Sequence, residues 1–111
     1  MAKYSDELDT VFIALADPTR RSIIRLLSAG PAPVGTLAEP FDITLPSFMK
    51  HIRSLERAGI IHTWKAGRVR TCELDRTRLS LVDDWLADER ARWNARTDRL
   101  EQLVTSPEES S

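Results

Sequence analysis

Basic side chains concentrate in the middle of this chain, where they could bind a polyanion. Residues 44–78 carry eight lysine and arginine side chains against three acidic ones, whereas residues 1–43 and 79–111 each carry an acidic excess. The formal net charge of −1 conceals this division. Such a basic surface attracts a polyanion, while the acidic remainder of the chain resists unspecific binding. The alternative interpretation is that the same side chains only solvate a helix and a hairpin.

The first group of basic residues falls on one predicted helix, which spans residues 44–59. Each helical residue advances about 100°, so Phe48, Ile52 and Leu55 share a narrow sector that must face the core. The opposite face is basic and carries hydroxyl groups. Its members are Pro46, Ser47, Lys50, Arg53 and Arg57.

This outer face has the width and chemistry to read DNA. A helix fits the major groove, where lysine and arginine reach guanine acceptors and serine pairs with several bases. Lys50 and Arg53 are the first candidates for direct contact, and His51 is expected to contact a phosphate rather than to titrate as a switch. Arginine and lysine also bind phosphates, so the sequence does not distinguish contacts to base edges from contacts to phosphates. An ordinary solvated helix is the alternative.

The second group of basic residues surrounds a predicted β-hairpin. Two segments rich in β-branched residues, 60–65 and 68–74, flank a turn at Ala66-Gly67. Lys65, Arg68 and Arg70 would extend from this hairpin as a positive finger beside the helix. Such a finger can lie along the minor groove or the phosphate backbone and add sequence-independent affinity.

The remaining periodic segments are helical and complete a mainly α fold. Apolar residues at three- and four-residue steps predict a first helix over residues 5–16, and Asp17-Pro18 supplies the cap and first position of a second. A short third helix over residues 34–39 precedes the basic helix, which gives the helix-turn-helix pattern. The last helix spans about residues 79–104.

The last helix carries the apolar spacing of a two-helix seam. A domain of this size rarely needs so long a helix, so a second copy is expected to cover much of the stripe and to form a homodimer. The expected interface residues are Leu8, Val11 and Phe12 of the first helix with Val82, Leu86, Trp93, Leu100 and Leu103 of the last. A twofold dimer would place two basic helices about 34 Å apart, matching a palindromic site. The alternative is that the helix folds back on its own core.

Length and composition exclude several classes of protein. The 111 residues favour one domain, at residues 1–104, followed by a disordered tail at residues 105–111. No apolar stretch approaches the about 20 residues that cross a bilayer, so we expect no membrane partner. A single cysteine suits a reducing cytoplasm, where we expect the protein to be located. The single cysteine, Cys72, cannot form an intrachain disulfide and is expected to be a buried apolar residue rather than a redox sensor.

The sequence contains no motif or residue set that is typical of an active site. There is no glycine-rich phosphate loop and no paired nucleophile set, and His51 and His62 lack an evident catalytic partner. We therefore expect neither enzymatic activity nor a cofactor.

Several motifs, in order, resemble the ArsR-type (arsenic-repressor-like) winged-helix regulators. The matching runs are LADPTRR at 15–21, LPSFMKHI at 45–52, LERAGII at 55–61, GRVR at 67–70 and LD at 74–75. The first is similar to the family's opening signature, the next two look like its recognition helix and wing entrance, and the last two resemble its wing return. The match covers about residues 8–104. It implies a mainly α, winged helix-turn-helix fold and a homodimeric repressor that binds promoter DNA through Thr44, Ser47, Lys50 and the wing arginines.

The chain departs from the metal-sensing members of that family. Where they carry paired cysteines in the third helix, this chain reads VGTLA at 34–38, and its last helix has acidic residues without histidine. Carboxylates alone bind such metals weakly, so we expect no zinc, arsenic or cadmium site. The operator sequence and the small-molecule effector stay open. A protein adaptor that uses the same basic face on an acidic partner is the competing function.

Overall fold

The computed structural model describes the backbone of residues 5–110 and the side chains of residues 6–103. Five helices and three short strands follow one another in this part of the chain. They are α1 (Ser5–Leu15), α2 (Pro18–Leu27), β1 (Ala32–Pro33), α3 (Val34–Ala38), α4 (Leu45–Arg57), β2 (Ile61–Ala66), β3 (Val69–Leu74) and α5 (Arg76–Ser110). The predicted mainly helical fold with a β-hairpin is confirmed. Within the described residues, no helix is long and apolar enough to cross a membrane.

The helix caps that the sequence predicts are present. The Asp17 carboxylate accepts the backbone N–H of Arg20 at 3.0 Å at the start of α2, and the Thr44 hydroxyl accepts that of Ser47 at 3.3 Å at the start of α4. Each cap satisfies a backbone donor that the first helical turn leaves unpaired. Gly59 follows α4 with φ +74°, a left-handed conformation that favours glycine.

The core is one cluster of buried side chains to which α1, α2, α3, α4 and the hairpin all contribute. Phe48, Ile52 and Leu55 of α4 lie at its centre with at most 1% of their surface exposed, as predicted. Phe41 lies in the link before α4, and its ring centroid is 5.5 Å from that of Phe48. Burying one large apolar side chain is worth about 1.5–3 kcal/mol, so this stripe anchors α4 firmly.

The hairpin forms, but its turn lies one residue later than predicted. The antiparallel register pairs Ala66 with Val69, so the two-residue turn is Gly67-Arg68 rather than Ala66-Gly67. Gly67 has φ +63°, which a two-residue hairpin turn requires at its first position. Because the turn moves by one residue, Arg68 stands at the very tip of the hairpin.

A third strand was missed by sequence analysis. Strand β1 consists of two residues and pairs antiparallel with β3, Ala32 opposite Cys72 and Pro33 opposite Thr71. Two residues are too few to show any alternation of apolar and polar side chains, so no periodic pattern predicts this strand.

Helix α5 is longer at both ends than the predicted 79–104. It begins at Arg76 because the Asp75 carboxylate accepts both the backbone N–H and the hydroxyl of Thr77. These hydrogen bonds, led by the hydroxyl of Thr77, lower the pKa of Asp75. At the other end the helical backbone continues through residues 105–110, which the sequence assigned to a disordered tail. Leu79, Leu81 and Val82 pack the first turns of α5 against the core.

Cys72 is fully buried, as predicted, and we expect its thiol to be inert in the folded protein. Burial, with a smaller contribution from the nearby Glu56 charge, raises the pKa of Cys72 to about 11. Since the thiolate is the reactive form, labelling by an aromatic disulfide at neutral pH should be slow in the native protein and fast in denaturant. The measurement is the labelling rate in both states, with a small-molecule thiol as the reference. Native-state labelling at the rate of the reference thiol would contradict this.

Candidate nucleic-acid interface

The outer face of α4 is exposed and basic, as the sequence predicts. Because Phe48, Ile52 and Leu55 face inward, the residues about half a turn away face solvent. The exposed members of this face are Pro46, Ser47, Lys50, Arg53 and Arg57. Lysine and arginine at this spacing can bind guanine edges or phosphates.

Hydroxyl groups stand at the leading end of the same face. The Thr44 hydroxyl donates to Ser47 Oγ at 3.0 Å while it accepts the Ser47 backbone N–H. Thr44 has therefore used its proton in capping the helix, whereas Ser47 keeps its own hydroxyl proton for an external acceptor. Both residues are exposed. Ser47 is thus the better placed of the two to donate a hydrogen bond to DNA.

His51 is set back from the exposed basic side chains. Its side chain is 23% exposed, and Nδ1 lies 3.3 Å from a guanidinium nitrogen of Arg20 and 3.7 Å from Asp17 Oδ2. Partial burial alone would raise the pKa of Asp17, but the hydrogen bond from the Arg20 backbone N–H and the positive charge of Arg20 lower it. The ring thus belongs to a polar cluster between α4 and the start of α2.

The hairpin tip carries three exposed basic side chains. Lys65 and Arg70 face each other directly across the two strands, and Arg68 lies in the turn. Like charges directly opposite each other disfavour a hairpin, and the Arg70 guanidinium turns toward the Thr63 hydroxyl. The structure therefore places all three predicted hairpin residues on one projecting element.

A hydrogen-bonded chain that sequence analysis missed joins this hairpin to α4. Arg70 donates to the Thr63 hydroxyl at 2.8 Å, and that hydroxyl donates to Glu56 Oε2 at 2.7 Å. The Thr63 hydroxyl therefore links the guanidinium group of Arg70 to the carboxylate of Glu56 on α4. The sequence offers one signal for it, since Glu56 is the only acidic residue on an otherwise basic helix.

One of the residues predicted for dimerisation, Val11, cannot meet a partner. It is 0% exposed because the core of its own protomer encloses it, so its assignment to an interface is wrong. Leu8 is 9% exposed and lines a surface pocket with Leu81 and Trp85 of α5. Val82 is likewise partly buried against that core, and Leu86 is half-buried.

The other predicted interface residues are exposed and apolar. Trp93, Leu100 and Leu103 on the second half of α5 are 50%, 62% and 73% exposed. Nearer the core, Phe12 meets Trp85 edge to face, with ring centroids 5.7 Å apart, and both rings keep more than a third of their surface accessible. These side chains form an apolar surface that runs along α5, which we call the α5 surface.

Metal ligands are not grouped anywhere in the described part of the chain. No cluster of three or more histidine, cysteine or acidic side chains there could hold a metal ion. His62, the second histidine, pairs with Glu73 across the hairpin at 2.9 Å.

Comparison with known proteins finds similarity to helix-turn-helix transcriptional regulators. Residues 15–63 match a helix-turn-helix domain family. The transcriptional repressor SdpR of Bacillus subtilis is 35% identical over 79 residues, which cover 71% of this chain and 88% of that protein. The HTH-type transcriptional regulator Rv2034 of Mycobacterium tuberculosis is 38% identical over 74 residues, which cover 67% of this chain and 69% of that protein. A crystal structure of an ArsR family transcriptional regulator is 52% identical with a TM-score of 0.81, and the match covers 85% of this chain and 97% of that one.

The Thr63 hydroxyl is expected to stabilise the hairpin by bridging Glu56 and Arg70. Replacing it in Thr63→Val keeps the shape but removes both hydrogen bonds, which should lower the free energy of unfolding by about 1 kcal/mol. The matched control is Thr71→Val, since Thr71 is a half-buried threonine on β3 whose hydroxyl makes no hydrogen bond within residues 6–103. Urea denaturation of both variants measures the difference, and equal losses in the two would contradict the bridge.

Proposed function

Because this chain belongs to the ArsR family of DNA-binding transcriptional regulators, we propose that it acts as a homodimeric repressor of promoter DNA. One observation carries the proposal: the exposed basic face of α4 and the basic tip of the hairpin belong to neighbouring elements of one protomer. We propose repression rather than activation because the relative SdpR is named a transcriptional repressor.

In this proposal α4 enters the major groove. Lys50 and Arg53 are assigned to base edges or phosphates, and Ser47 to a base acceptor near the start of the helix. Thr44 and Pro46 shape the helix start and lie against the sugar–phosphate backbone. Helix N-termini and hydroxyl groups commonly make such backbone contacts, which set the register of a protein on the duplex.

The hairpin is proposed to act as a wing along the adjacent backbone. Its three basic residues, Lys65, Arg68 and Arg70, would neutralise phosphates and release counterions, which adds affinity without sequence preference. The unfavourable pairing of Lys65 with Arg70 in the isolated chain supports this, because a bound phosphate removes the repulsion between them. A narrow minor groove would serve the turn residue Arg68 equally well.

The proposed dimer uses the α5 surface. Trp93, Leu100 and Leu103 expose more apolar area than a lone helix in water should, and a second copy of the same helix is the simplest cover for it. The edge-to-face pair of Phe12 and Trp85 would close one end of that interface. Twofold symmetry would then present two α4 helices to successive major grooves of a palindromic operator, about 34 Å apart.

The proposal assigns no catalytic step and no cofactor to the chain. It places the protein in the cytoplasm, with the bacterial or archaeal promoter DNA that it would bind.

The first experiment tests the α4 face. Lys50→Ala and Arg53→Ala should each weaken binding to duplex fragments that the wild type selects from genomic DNA, by about tenfold, with unchanged folding. A residue that contacts a phosphate should also reduce the slope of log affinity against log salt by about 0.9. Arg90→Ala, an exposed arginine of α5, is the matched control.

Normal affinity in both α4 variants would contradict the assignment of this face. A wild-type protein that binds no duplex at low salt would contradict DNA binding itself and favour the protein adaptor.

The second experiment tests the α5 surface. Trp93→Asp should convert the dimer to a monomer, because a carboxylate buried in an apolar seam without a partner is costly. The control, Asn94→Asp, adds the same charge at the next exposed position of the helix. Analytical ultracentrifugation of both variants gives the mass in solution. An unchanged dimer in Trp93→Asp, or a monomeric wild type, would contradict the proposed interface.

A further inference from the structure

The side chain of Arg20 joins three elements of the fold. From the first turn of α2, its Nε donates to the carbonyl of Ala14 at 2.7 Å, and one terminal nitrogen donates to the carbonyl of Ile13 at 2.9 Å. Both carbonyls belong to the last turn of α1, where the acceptors lack the usual partner four residues later. The other terminal nitrogen lies 3.3 Å from Nδ1 of His51 on α4.

The partner of Nδ1 decides which nitrogen of the His51 ring carries the proton. A guanidinium group can only donate, so in a hydrogen bond from Arg20 the Nδ1 of His51 is the acceptor and the ring proton lies on Nε2. The carboxylate of Asp17 does not reverse this, because its Oδ2 lies 3.7 Å from Nδ1, beyond hydrogen-bond distance.

The other nitrogen of the ring is available to an external partner. Among the described residues no group bonds Nε2 of His51, and every buried side-chain nitrogen or oxygen there has a partner. Nε2 is therefore reachable from solvent although the ring is mostly covered. It lies on the same helix as Lys50 and Arg53, on the flank between the core and the exposed face.

We propose that Arg20 is a positioning residue of the DNA interface, which holds His51 in the Nε2–H tautomer so that a neutral N–H donates to a phosphate oxygen. The inference rests on the proposed function. A recessed donor on the flank of a groove-binding helix faces the backbone rather than the base edges, and an anionic acceptor strengthens the bond. The same guanidinium ties this donor to the end of α1, so the position of His51 follows that of α1.

The first test reads the tautomer directly. A long-range proton–nitrogen correlation spectrum of the full-length, ¹⁵N-histidine-labelled protein at mildly alkaline pH should show His51 protonated at Nε2. A spectrum with the proton on Nδ1 would overturn the inference. This result does not depend on DNA, so it separates the present inference from the proposed function.

The second test compares two replacements of His51. The amide nitrogen of glutamine falls near the position of Nε2, whereas that of asparagine falls near Nδ1. His51→Gln should bind the selected duplex within about twofold of wild type, and His51→Asn should bind about tenfold more weakly. Equal affinities for the two variants, with the wild type binding normally, would overturn the phosphate contact and leave the α4 assignment intact.

The third test asks whether Arg20 acts through His51. Arg20→Lys keeps the charge but not the three-way fork, so His51 should become a mixture of tautomers and the affinity should fall by about tenfold. In the His51→Gln background the same change should have no further effect, since the residue it positions is gone. An equal loss in both backgrounds would show a merely structural role. Should Arg20→Lys fail to fold, the comparison of the two His51 variants still decides the contact.

Discussion

The burial of one face of α4 is the interaction on which the rest of this structure depends. Phe48, Ile52 and Leu55 occupy the centre of the core, where each contributes on the order of 1.5–3 kcal/mol. An α-helix has no freedom to rotate once such a stripe is fixed, so the basic residues on its other side must face outward. The electrostatics of the chain therefore follow from its packing: a protein of net charge −1 presents a positive helix face.

Two polar connections fix what the apolar stripe alone would leave adjustable. Arg20 links the end of α1 to His51 near the middle of α4, and the chain from Arg70 through Thr63 to Glu56 links the hairpin to the end of α4. Both connections involve side chains that bear charge or accept charge-assisted hydrogen bonds, which carry more directional preference than apolar contacts. The basic helix is thus held at two points against the elements on either side of it. That arrangement suits a rigid docking surface, since DNA binding rewards groups that are already in position.

The helices, the hairpin and the direction of the basic face could be predicted because each depends on neighbours in sequence. Periodicity identified the buried residues of α4, and Asp17 and Thr44 marked two helix starts. Periodicity identifies an apolar face but not what covers it, which is why Val11 was assigned to a partner when its own core encloses it. The two-residue strand β1 is too short for a pattern. The Arg20–His51 contact joins residues 31 positions apart, and no local rule reveals such a pair.

In the proposed complex, two copies of α4 face one DNA duplex at once. Hydroxyl-radical footprinting of the whole chain on a duplex that it selects from genomic DNA can detect this arrangement. We expect two symmetric protected stretches whose centres lie about one helical turn, or roughly 10 base pairs, apart. A single protected stretch, or two stretches without symmetry, would contradict it.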